Sequence, residues 1–113
     1  MTTSVEQCIM AVSAAFRLPL GPMLSKRRHA RLSHARQAAM WLARSETGKS
    51  YPQIGLAFGG YDHTTIMHGV KAAEARYEKD EDFADMMQRA YTILPNMPRR
   101  IKGPRLTTDN RGE

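Results

Sequence analysis

Thr64, Thr65, His68 and Lys71 fall within about 120° of arc when the chain after Asp62 is wound as a helix at roughly 100° per residue. Each can hydrogen-bond a base edge or a phosphate. A threonine hydroxyl serves either kind of base and its methyl meets the thymine C5-methyl, while an imidazole donates to a guanine acceptor. Asp62 is a natural N-cap for that helix, and the positive end it caps attracts phosphate. Ile66, Val70, Ala73 and Tyr77 line the opposite, apolar face. An ordinary capped helix with a solvated face would show the same pattern, so its neighbours must decide between the two.

A catalytic or metal-binding use of the four histidines is disfavoured by spacing. His29 and His34, like His63 and His68, are five residues apart, which on a helix separates them by roughly 140°, whereas helical metal pairs stand three or four apart. The single cysteine, Cys8, provides neither an internal disulfide nor a thiolate cluster. No catalytic residue, metal or cofactor is expected.

The elements that must position the polar face read as helices throughout. Thr3-Ser4-Val5-Glu6 resembles a capping box, and Val5, Ile9, Val12 and Phe16 follow at helical spacing, so residues 4–16 form an amphipathic helix with Cys8 as a small buried hydrophobe. Pro19, Gly21 and Pro22 leave room for only a short turn before Ser25. A long helix spans about Arg28 to Ser45, with Leu32, Ala35, Ala39 and Leu42 facing the core and Gln37 and Arg44 projecting together from another side. Trp41, nearly opposite Leu32, is expected to pack against the last helix. Gly48 closes the long helix, and Ser50 with Gln53 caps a short one over Tyr51 to Phe58. Gly59-Gly60 ends that helix, giving helix, tight turn, helix, the layout in which the second helix enters the DNA major groove. A final helix is predicted from Glu81 to Leu94, stopped by Pro95. The fold class is therefore all-α, with residues 1–94 as the domain and 95–113 as a basic flexible tail.

Length and charge set the outer limits. The chain has 113 residues, enough for one modest core, and its longest apolar stretch, Ala38 to Ala43, falls far short of the roughly 20 residues that span a bilayer. The N-terminus lacks a secretory pattern, so the expected location is cytoplasmic. The 17 Lys and Arg against 11 Asp and Glu give +6. Residues 17–49 hold Arg17, Lys26, Arg27, Arg28, Arg31, Arg36, Arg44 and Lys49 against Glu46 alone, whereas residues 74–85 hold six acids against Arg76 and Lys79. A basic sector of this kind attracts a polyanion through counterion release.

The run Ile54-Gly55-Leu56-Ala57-Phe58-Gly59-Gly60-Tyr61-Asp62-His63-Thr64-Thr65-Ile66-Met67-His68-Gly69 closely resembles the signature of the bacterial replication initiator DnaA family. The likeness continues through Leu24-Ser25-Lys26-Arg27-Arg28 and Ala35-Arg36-Gln37-Ala38-Ala39-Met40-Trp41-Leu42, and covers about residues 4–94. It implies the TrpR-like helical domain of the DnaA C-terminal type, which recognises a short duplex element, the DnaA box. By this resemblance Asp62, His63, Thr64, Thr65 and His68 match major-groove positions and Arg28 a minor-groove arginine. Lys26, Arg27, Arg36, Gln37 and Arg44 match the basic loop and its phosphate-contacting neighbourhood; Lys71, from the polar face, joins them as a backbone contact. The implied partner is double-stranded DnaA-box-like DNA, in competition with full-length initiator, with a nucleoid-associated location, no membrane and no small-molecule substrate.

Two residues depart from the family pattern. Tyr61 stands where a basic residue is usual, removing a phosphate contact, and Gly69 follows His68 where a better helix former is usual, loosening the helix by up to about 1 kcal/mol relative to Ala. The sequence contains no Gly-x-x-x-x-Gly-Lys-Ser/Thr loop, so a stand-alone binding protein without ATPase activity is expected, acting on replication initiation, transcription or both. The alternative is a protein-interaction module that engages the initiation machinery independently of DNA through the acidic 74–85 segment or Trp41.

Overall fold

The first helix begins where a serine hydroxyl meets a free backbone amide. The computed structural model describes residues 3–26 and 28–96. In it Ser4 caps α1 (Val5–Phe16): its hydroxyl accepts from the Gln7 amide at 3.1 Å, and the Gln7 side chain accepts from the Ser4 amide at 2.8 Å. The capping box thus lies one residue later than Thr3-to-Glu6, because glutamine at the third helical position closes it as well as glutamate does.

The predicted turn after Pro19 is a helix, α2 (Leu20–Leu24). Its proline, Pro22, stands in the first turn, where an amide hydrogen has no helical partner to lose, and Met23 is drawn fully into the core. The long helix α3 (Ala30–Thr47) starts two residues later than expected and ends at Gly48, whose φ of 70° is left-handed. α4 (Tyr51–Ala57) carries the Ser50–Gln53 capping box, and α5 (His63–Lys79) is capped by Asp62. α6 (Glu81–Ile93) passes into a 3-10 turn over Leu94–Asn96, so Pro95 lies inside the last turn and not beyond it. Among the described residues there is no strand, in agreement with the all-α reading. The tail from 97 onward lies outside the described residues.

α1 lies against both α3 and α6, and α5 crosses α3 along the other side. Phe16 of α1 meets Phe83 of α6 edge to face, with ring centroids 5.8 Å apart. Cys8 is wholly enclosed; burial, with a smaller contribution from the Glu46 carboxylate, pushes its thiol up to about 12. Such a thiol is an inert packing group. Trp41 meets Tyr77 of α5 edge to face at 5.4 Å and lines a groove with Met87, Gln88 and Tyr91 of α6. It therefore packs at the junction of α5 and α6.

Candidate nucleic-acid interface

The turn between α4 and α5 is made by three glycines with different tasks. Gly59 and Gly60 take φ of 96° and 100°, which side chains with a Cβ rarely adopt. Gly55, inside α4, is needed for space: a Cβ there would lie 2.1 Å from the Tyr61 carbonyl oxygen. That close approach lets the Gly55 carbonyl accept from both the Gly60 and the Tyr61 amides at 3.0 Å, closing the turn. Ile54, Phe58, Ile66 and Val70 are buried at the α4–α5 junction, so the second helix is held at a fixed angle to the first.

The polar face of α5 is where the spacing predicts it. Ile66, Val70 and Ala73 are buried and Tyr77 is half-buried, while Thr65, His68 and Lys71 are exposed and Thr64 is half-buried. Asp62 accepts from the Thr64 amide at 2.9 Å. That bond, followed by one from the Thr64 side chain, holds the Asp62 carboxyl below its ordinary range, with a small further push from His63. Asp62 is thus an ionised N-cap. Its other oxygen lies 3.7 Å from His63 Nδ1, with both side chains largely in solvent. The end of α5 presents, in order, an acceptor, an imidazole and two hydroxyls.

The basic residues divide by burial. Lys26 and Arg28 are exposed on the segment between α2 and α3, while Arg27 lies outside the described residues. Arg36, expected on the phosphate-contacting side, is 7% exposed: its guanidinium donates to the Met23 carbonyl at 3.3 Å and to Ser33 Oγ at 3.0 Å. It ties α3 to α2, the helix that leads into the basic segment. Gln37 accepts from the Arg76 guanidinium at 2.8 Å and, with Ser33, Thr65 and His68, lines a cleft between α3 and α5. Arg44 donates to the Lys49 carbonyl at 2.6 Å and lies over the Tyr51 ring at 4.7 Å, joining the end of α3 to the start of α4. Gln37 and Arg44 do not act as a pair: one braces α5, the other α4.

Gly69 is explained by packing. A Cβ on it would lie 2.4 Å from Met40 Sδ, so the glycine allows α5 to cross α3 at close range. What reads along the chain as a loosened helix is a tight helix–helix contact.

Two residues have features that the helical spacing does not mark. Tyr61 donates its hydroxyl to the Ser25 carbonyl at 3.0 Å and lies beneath the Lys26 ammonium, 5.2 Å from the ring centroid. Its departure from the family's basic residue was the available signal. Leu56 on α4 is 76% exposed, a large apolar group beside the turn. Among the described residues no group of three or more His, Cys, Asp or Glu side chains could hold a metal, and no helix is long and apolar enough to cross a membrane.

Residues 5–72 match the family described as bacterial dnaA protein helix-turn-helix. Among curated proteins, the chain is 40% identical over 91 residues to the chromosomal replication initiator protein DnaA of Acinetobacter baylyi, an overlap covering 77% of this chain and 20% of that protein. It is 42% identical over 79 residues to the protein of that name from Sphingopyxis alaskensis, covering 70% of this chain and 17% of the relative. The match thus spans about a fifth of the length of these initiators. With its helix-turn-helix held by the three glycines and its polar α5 face outward, the chain belongs to the bacterial DnaA helix-turn-helix family.

Proposed function

We propose that this domain binds duplex DNA sequence-specifically at DnaA-box-like sites, through groups that require no nucleotide hydrolysis. α5 enters the major groove, where Thr65 and His68, with Asp62, His63 and Thr64 at the helix start, read base edges. Arg28 enters the neighbouring minor groove, whose narrow A·T stretches reward a cation. Lys26, Arg27, Arg44 and Lys71 engage the phosphate backbone, with Gln37 alongside, and Arg36 supports them from the interior. The observation that carries this reading is a single helix with a buried apolar face and an outward row of base-reading side chains, next to exposed Lys26 and Arg28.

The relatives are named as chromosomal replication initiators, so the sites engaged here belong to replication control, transcription at the same boxes, or both. Occupancy of those boxes places the protein on the nucleoid and sets it in competition with full-length initiator. The test is titration of a labelled duplex of the TTATNCACA type against its scrambled counterpart at physiological salt. Specific binding tighter by about 10³-fold or more is expected; equal affinity refutes the proposal. Thr65→Ala should cost about 1–3 kcal/mol on the box while leaving scrambled DNA and the salt dependence almost unchanged. A Thr65→Ala protein weakened equally on every duplex would move base readout away from α5.

A further inference from the structure

Tyr61 joins parts of the interface that are far apart along the chain. It belongs to the turn between α4 and α5, yet its hydroxyl bonds the main chain at Ser25, 36 residues earlier. Its ring packs edge to face on buried Phe58, with centroids 6.3 Å apart, and is itself half-buried. On its outer face the ring carries the Lys26 ammonium. One side chain thus grips the backbone of the basic segment and the head of its first cation, while its own root is set by the glycine turn that aims α5. Arg36 holds α2, immediately before that segment, through the Met23 carbonyl.

We propose that Tyr61 is a positioning residue that docks the basic segment against the helix-turn-helix, so that Lys26 and Arg28 stand at a fixed offset from Thr65 and His68 before DNA arrives. This rests on the DNA-binding reading above. A segment ordered in advance does not have to be ordered on binding, and the minor-groove and major-groove contacts then act in one register. Tyr61 touches DNA in no part of this role; it acts through Ser25 and Lys26.

Tyr61→Phe isolates the effect, because it keeps the ring under Lys26 and against Phe58 and deletes only the hydroxyl. Three measurements are needed on the full chain. Amide exchange by NMR in the free protein should quicken at Ser25, Lys26 and Arg28 and stay unchanged along α5. Affinity for the box duplex should fall about 5-fold, the worth of one ordinary hydrogen bond. That loss should shrink in an Arg28→Ala background, since Lys26 is then the named cation left to gain from being placed. Unchanged exchange at the basic segment overturns the proposal, as does a loss that persists in full when Arg28 is absent, the result of a merely structural role. A wild-type protein that prefers the box, with a Tyr61→Phe protein that matches it, overturns the proposal and leaves the function standing. A wild-type protein that binds box and scrambled duplexes alike overturns both.

Discussion

Lys26 and Arg36 are ten residues apart and carry the same charge, yet they should fail in opposite ways. Lys26 is exposed beside the turn, so under the proposed function Lys26→Ala removes a phosphate contact and should shallow the slope of log affinity against log salt by about 0.9. Between 50 and 200 mM salt, a slope shallower by that amount means about 3.5-fold less weakening than the wild type suffers. Folding stability should be almost unaffected. Arg36 is buried with its guanidinium on the Met23 carbonyl and Ser33 Oγ, so Arg36→Ala leaves a core carbonyl without that charged donor. A hydrogen bond to a charged group is worth about 1.5–3 kcal/mol, which in a domain of this size lowers Tm by at least about 6 °C. Its salt slope should stay that of the wild type when binding is measured well below the lowered Tm. Fluorescence-anisotropy titrations at four salt concentrations, with thermal unfolding by circular dichroism, separate the two. An Arg36→Ala protein of normal stability whose slope falls by about 0.9 would refute the division of cations by burial.

Three further outcomes follow from the interior. Gly55→Ala places a methyl against the Tyr61 carbonyl, a backbone group that cannot swing away, and should cost about 1–3 kcal/mol or more by chemical denaturation; a neutral result would mean the turn can open without loss. Cys8 should be silent to a thiol reagent in the native protein and react promptly in denaturant, and prompt native labelling would contradict its enclosure. His34 is held below its ordinary 6.5 by burial and by Arg76, with Asp80 opposing. The unfolded chain therefore takes up a proton before the folded one, so stability contributed by neutral His34 is present above that value and declines as pH falls through it. Tm should drop from pH 7 toward 5 in the wild type and less steeply in His34→Gln.

The helix-turn-helix was legible because its determinants are local. Caps at Ser50 and Asp62 and the paired glycines act within a few residues, and the apolar spacing of α5 fixes which side faces out. Arg36 was legible too, and the resemblance obscured it: on a helical wheel it stands about 40° from Leu32, inside the core stripe. Its charge argued for the surface, but a buried arginine is stable where a carbonyl and a hydroxyl meet it, as Met23 and Ser33 do. α2 escaped because proline and glycine signal a break, whereas the burial of Met23 decides the matter from outside the segment. The Tyr61–Ser25 bond and the Gly69–Met40 contact join residues 36 and 29 apart, and no periodicity along the chain encodes such pairs.

Under the proposed function, the run of acids has a bearing on how the protein arrives at DNA. Glu74, Glu78, Asp80, Glu81, Asp82 and Asp85 are all exposed, around the end of α5 and the start of α6. The 17 residues of α5 place that end about 25 Å from the Asp62 end. That is roughly three Debye lengths at physiological salt, so the acids scarcely oppose a phosphate at the other end once the domain is seated. During approach the same separation of charge is a lever arm: the duplex field exerts a torque that turns the basic end forward. Encounters made acid-end first are repelled before contact, which raises the fraction of collisions that arrive correctly oriented. The consequence is kinetic, an association rate that falls with added salt for reasons of orientation as well as attraction.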